Sequence, residues 1–108
     1  MKFLYVFLLS TTFFVTVQAE DLARINYLPA EGVVKDEKIA TAIAKVALIS
    51  VYGETQIKKQ LPLKAKLVSN ELWLISGTFN APSGSFGGVA EILIRKKDGA
   101  VLGMIHGK

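Results

Sequence analysis

Residues 63–79 read LKAKLVSNELWLISGTF. In the first part Leu63, Ala65 and Leu67 alternate with Lys64, Lys66 and Val68, the period of two expected of a strand with one dry and one wet face. Ser69-Asn70-Glu71 is a short polar break suited to a hairpin. The run resumes from Leu72 to Phe79, with Trp73, Ile75, Gly77 and Phe79 on one side and Leu72, Leu74, Ser76 and Thr78 on the other. Both sides begin apolar, which predicts an inner strand of a sheet.

Towards the C-terminus, Asn80–Gly88 reads NAPSGSFGG and predicts a loop. Val89 to Lys97 returns to alternation, with Ala90, Ile92 and Ile94 opposed by Glu91, Leu93 and Arg95. Asp98-Gly99 predicts a tight two-residue turn with positive φ at both positions, and a last strand, Ala100 to Ile105, ends in His106-Gly107-Lys108.

Towards the N-terminus the period becomes helical. Ile39, Ile43, Val46 and Ser50 form a stripe that Ala40, Ala44, Ala47 and Val51 widen, with Lys38, Thr41 and Lys45 opposite. Asp36 is placed to cap the first turn and Glu37 to face the positive end of the dipole. Gly53 after Tyr52 predicts a left-handed terminator. The expected helix is Glu37 to Val51, joined to the sheet by a polar connection through Lys58-Lys59-Gln60. Residues 20–35 mix charges with Tyr27, Pro29 and Gly32 and predict an irregular lead-in.

The expected class is therefore α+β: one helix packed on a curved antiparallel four-stranded meander sheet, forming a single domain over residues 36–108. The other face of the sheet is half wet. It carries Lys64, Lys66, Glu91 and Arg95, with the lead-in expected over Leu74 and Leu93, and it is the surface left for a partner.

Residues 1–19 stand apart. Lys2 precedes an apolar run from Phe3 to Val17 broken only by Ser10, Thr11, Thr12 and Thr16, and Val17-Gln18-Ala19 leads into Glu20-Asp21. This is the pattern of a secretory signal peptide, with cleavage expected after Ala19 and a periplasmic or secreted location. A retained span would need roughly 20 unbroken apolar residues, so no stable membrane insertion is expected after cleavage. Loss of the leader lowers the net charge only from +4 to +3, because Lys2 is the one charge removed. The 108 residues suffice for one domain. The absence of cysteine excludes disulfide scaffolds, thiolate zinc sites, thiol nucleophiles and anchoring at a lipidated cysteine.

Little in the chain points to chemistry. His106 is the sole histidine, and it lies near the terminus with no matching nucleophile or acid cluster in sequence. Glu54, Glu71, Glu91 and Asp98 fall on different elements and suit solvated or turn positions. Gly84, Gly87 and Gly88 precede a strand, whereas a phosphate-binding loop must open a helix. The basic clusters Lys58-Lys59, Lys64, Lys66 and Arg95-Lys96-Lys97 lack interleaved exposed aromatics, since Trp73 and Phe79 are assigned to the dry face, so nucleic acid is not the expected partner. No catalytic, cofactor-binding or metal-ligating residue is assigned, and no enzyme activity is expected. The candidate contact residues for a protein partner are Lys64, Lys66, Glu91 and Arg95 on the sheet, Pro82 and Phe86 in the loop, and His106 at the strand end.

In order along the chain stand Tyr52-Gly53, Ile57, Pro62, Ala65-Lys66-Leu67, Trp73, Gly77-Thr78, Gly87-Gly88, Lys97-Asp98-Gly99, Val101-Leu102 and His106-Gly107-Lys108. From about Gly32 to Lys108 this set resembles the small bacterial immunity proteins of nuclear-transport-factor-2-like (cystatin-like) fold. The resemblance implies a reduced version of that cone-shaped fold and a partner in the form of a cognate protein toxin, neutralised by binding. Leu63 stands where the family often has an aromatic, and the Phe79–Gly84 stretch is longer than usual. With the leader, the expected function is an exported immunity protein against a toxin acting in the periplasm. Two other functions fit the pattern. One is a small exported ligand binder or enzyme using His106 and an acid, which requires a buried pocket of roughly 300 Å³ or more around that imidazole. The other is a peptidase-inhibitor-like module.

Overall fold

The computed structural model describes residues 18–107. The leader over residues 1–19 lies outside them except for Gln18 and Ala19. A short helix α1 (Ala19–Ala23) opens the described chain, so the lead-in is not irregular throughout, and Arg24 pairs with Asp21 at 3.0 Å on its exposed surface. The other elements are α2 (Glu37–Tyr52), α3 (Glu54–Lys58), β1 (Lys64–Ser69), β2 (Leu72–Ser76), β3 (Ala90–Arg95) and β4 (Val101–His106). Among the described residues no helix is long and apolar enough to cross a membrane.

Helix α2 begins as its sequence dictates. Asp36 is extended, and its Oδ1 accepts the Ile39 N–H at 2.9 Å, satisfying one of the first-turn amides. It ends where Gly53 donates to the Ile49 carbonyl at 2.9 Å. Gly53 has φ 93° but ψ 149°. The chain thus leaves in an extended conformation reserved for glycine rather than the expected left-handed turn, and enters α3 directly. A second helix was not expected here, because ETQIK carries only one apolar residue; that residue, Ile57, is fully buried.

The buried stripe of α2 is rotated from expectation. Ala40, Ala44 and Leu48 are wholly buried, with Ile39, Ile43, Ala47, Ile49 and Tyr52 against them, while Val46 and Val51 are 71% and 57% exposed and Ser50 faces solvent. The small Ala40 and Ala44 let the helix lie close across β1, β2 and β3, which turns Val46 outward.

The sheet has the order β1-β2-β3-β4 with every neighbour antiparallel, the expected meander. Cross-strand partners share a face. The row Ala65, Ile75, Ile92, Met104 and the pair Trp73 and Ile94 therefore face the helices. Strand β2 is shorter than expected. After Gly77 the Thr78 amide leaves the ladder and donates to the Gln60 carbonyl at 2.7 Å. Phe79 is consequently off the dry face and half exposed.

Residues 32–34 of the lead-in cross the end of the sheet. Val33 and Val34 donate to Lys97 and Lys96 carbonyls, both at 3.0 Å. The Val34 side chain is fully buried, and its carbonyl accepts the Trp73 indole N–H at 2.7 Å. The segment thus closes the helix side of the core and does not lie over Leu74 and Leu93, because its backbone is paired with the β3–β4 turn.

That turn also differs from expectation. Only Gly99 has positive φ, and Lys96–Gly99 form a longer loop in which Gly99 N–H donates to the Arg95 carbonyl at 2.9 Å. Asp98 keeps negative φ because its Oδ1 accepts from both Arg95 Nε and Ala100 N–H, each at 3.0 Å. The bond from Arg95, then that from Ala100, holds the Asp98 carboxyl below its ordinary range. A lowered folded-state value stabilises the fold above the unfolded carboxylate value of about 4, and that contribution is lost as pH falls through the folded value. The stability gap between the native protein and Asp98→Asn is therefore expected to shrink as pH is lowered from neutrality through that range, read from urea midpoints along a pH series.

Candidate interaction surface

The face of the sheet turned away from the helices is built from the alternate residues of each strand. One row runs Lys66, Leu74, Leu93, Gly103; the next runs Lys64, Ser76, Glu91, Ile105; and Leu72 pairs with Arg95. Leu72, Leu74 and Leu93 are half buried against one another, and Ile105 is 63% exposed. Four sequence-assigned residues, Lys64, Lys66, Glu91 and Arg95, share this face and rim its apolar centre. Ser76 Oγ donates to Glu91 Oε2 at 3.3 Å. Arg95 is tied to Asp98, whose hydrogen bond and charge hold the guanidinium above its ordinary value. The lysines have no salt-bridge partner among the described residues. At Gly103 the missing side chain leaves a notch of about 330 Å³ walled by Leu74, Leu93 and Ile105. An apolar centre inside a mixed polar rim is the anatomy of a protein-binding patch.

The other three assigned residues lie elsewhere. Pro82 and Phe86 belong to the exposed Asn80–Gly88 loop, where the Pro82 carbonyl accepts the Ser85 amide at 3.1 Å and Phe86 is fully exposed. His106 is on the helix side of β4, opposite the buried Ala90. With Phe86 it borders a surface trough of about 630 Å³ between α3 and the loop. The structure therefore splits the seven residues between two surfaces.

At the floor of the trough is a network that sequence alone did not reveal. Gln60 is 5% exposed. Its Oε1 accepts the Ala90 amide at 2.7 Å, and its Nε2 lies 2.9 Å from His106 Nε2. Gln56 Nε2 stands 3.3 Å from the same ring nitrogen. His106 Nδ1 is 2.7 Å from the Gly107 carbonyl, which can only accept. Nδ1 therefore carries the proton and Nε2 accepts from the glutamine amides. The ring packs edge-on to Tyr52, with centroids 5.2 Å apart. A Cβ placed on Gly77 would come within 2.5 Å of Gln60 Oε1, so glycine there is what admits the buried amide.

Chemically this arrangement fastens β4 to α3. Both imidazole nitrogens are engaged, and no carboxylate among the described residues lines the trough, so the acid required by the histidine-based alternative is not beside it. Nor do the described residues bring three or more His, Asp or Glu side chains into a metal-binding cluster.

A family model described as "NTF2 fold immunity protein" (Imm-NTF2-2) matches residues 39–108, from the first turns of α2 to the end of the chain. No curated protein and no solved structure matches it.

Proposed function

The chain belongs to the NTF2-fold immunity proteins, and from that membership we propose that it is exported and protects by covering a cognate toxin that acts in the periplasm. The observation that carries the proposal is the family match across the whole helix-and-sheet unit. The site of export is supported by the leader pattern of residues 1–19. The chain's positive charge favours a target other than a nuclease, whose inhibitor would present an acidic, phosphate-like face. A toxin attacking peptidoglycan or the membrane from outside the cytoplasm suits both features. Neutralisation is by occupancy, with no bond made or broken by the immunity protein.

The outer sheet face is the covering surface. Its Leu72–Leu74–Leu93–Ile105 centre supplies burial, and Lys64 and Lys66 supply an attractive potential for an acidic patch on the toxin. The test is to purify the chain with the product of the neighbouring gene and to measure both binding and protection of cells that export that product. A stable complex and survival are expected. A cytoplasmic nuclease as the inhibited partner overturns the proposal.

The charge contribution is checked separately. Reversing Lys64 and Lys66 to glutamate is expected to raise Kd about tenfold at low salt, mostly through slower association, with the difference fading towards 1 M salt. Circular dichroism should be unchanged, since both side chains are exposed. Equal binding at every salt concentration places the interface elsewhere.

A further inference from the structure

β1 is one edge of the sheet, with β2 as its sole strand neighbour. Its free side follows from the ladder. Gly77 N–H donates to the Ala90 carbonyl at 2.9 Å, so the main-chain groups of Trp73 and Ile75 also face β3, and those of Leu74 and Ser76 face β1. Lys66 and Lys64 are their partners. The N–H and C=O groups of Ala65 and Leu67 are thereby turned outward, and among the described residues no other backbone group bonds to them. The register shift between Leu67 and Ser69 ends this regular stretch. Beside it runs a groove between α2 and β1, about 600 Å³ where Lys38, Thr41 and Leu63 meet Lys64 and Ala65, and it continues past Lys45. Lys38 and Lys45 are exposed on the α2 side of the edge, and Lys64 and Lys66 on the outer face. None of these four cations has a salt-bridge partner among the described residues. Glu37, at the start of α2, is the one carboxylate among the described residues that lines the groove.

We propose that the β1 edge takes up an extended acidic segment of a partner protein as a fifth strand of the sheet. A strand added there sends alternate side chains to the two faces. On the helix side they meet Lys38 and Lys45, and on the outer side Lys64 and Lys66, so carboxylates are matched whichever face they take. The free groups of Ala65 and Leu67 supply main-chain bonds, and the lysines select the partner. Lysine on an open edge ordinarily prevents pairing. It does so here against a second copy, which would bring its own Lys64 and Lys66 to the same place, while a strand of opposite charge is drawn in. If the toxin reading holds, the segment belongs to the toxin and lies beside the covered face. The pairing is tested with a peptide alone, so its failure leaves that reading standing.

The probe is a short fluorescent peptide alternating glutamate and valine, compared with its lysine counterpart and with an oligothymidylate of equal charge. By fluorescence anisotropy of the purified protein at low salt, the glutamate peptide is expected to bind about tenfold more tightly than the lysine peptide, and more tightly than the oligothymidylate, which has no amide groups to complete a ladder. Lys38→Glu with Lys45→Glu, both at exposed positions, is expected to raise its Kd about tenfold. Leu67→Pro, which removes one outward N–H and is tolerated on an edge strand, should weaken it with circular dichroism unchanged. Amide hydrogen exchange supplies a reading that needs no variant. Protection at Ala65 and Leu67 should rise when the glutamate peptide is added, while Lys64 and Lys66, already bonded to β2, stay as they were. Equal binding of the two peptides, tighter binding of the oligothymidylate, indifference to Lys38→Glu with Lys45→Glu, or binding without new protection at Ala65 and Leu67 overturns the proposal.

Discussion

Replacing Gln60 with leucine is expected to lower the unfolding free energy by about 3 kcal/mol, because the Ala90 amide would be left buried without an acceptor. Ala90 is wholly buried and donates to Gln60 Oε1 at 2.7 Å. Leucine has similar bulk, so the transfer of an apolar group inward offsets part of the loss. His106 also loses the shorter of its two amide contacts. In urea unfolding the midpoint should fall with the slope unchanged. Gln56→Leu, at an exposed position with only the longer contact, is the control and should stay within about 0.5 kcal/mol of the native protein. If Gln60→Leu matches that control, the network does not hold β4 in place.

The second large effect is at the centre of the outer face. Leu74→Arg is expected to weaken toxin binding at least a hundredfold, about 3 kcal/mol, since central apolar anchors carry most of the energy of such patches. Leu74 is half buried between Lys66 on β1 and Leu93 on β3. An arginine there can lay its stem over Leu93 and lift its head into water, so the fold survives and the loss is read in binding. Calorimetry against the product of the neighbouring gene, with circular dichroism as the folding check, measures it. Phe86→Ser belongs in the same series, because Phe86 projects from the other candidate surface. If Leu74→Arg binds normally and Phe86→Ser does not, the loop is the covering element and the sheet face is not.

The strands and the helix start were legible because each rests on a local signal: alternation across residues 63–68 and 89–95, the Asp36 cap, and the proline and glycines of Asn80–Gly88. What escaped rests on partners distant in sequence. Gln60 looks like any polar connector until Ala90, thirty positions on, is seen to need its oxygen. Val34 sits among charges, and the donor that satisfies its buried carbonyl is Trp73, thirty-nine positions away. The rotation of α2 escaped because alanines count for little in a hydrophobic stripe, yet their small size decides which side can approach the sheet. The Lys96–Gly99 loop escaped because Asp98 found two donors in place of a positive φ. Of the assigned contact residues, the four on the sheet fell on one surface because the strand period places them there. Nothing local could bring Phe86 and His106 to the same trough.

The strand order has a kinetic consequence. With every strand bonded only to its sequence neighbours, loop closure is cheap and contact order low, so the ladder can zip from its hairpins without waiting for remote segments. The clasps from Val33 and Val34 to Lys97 and Lys96, and from Gln56 and Gln60 to His106, close the longest loops. They belong to the last stage of assembly, and they set how slowly the finished protein comes apart rather than how fast it forms.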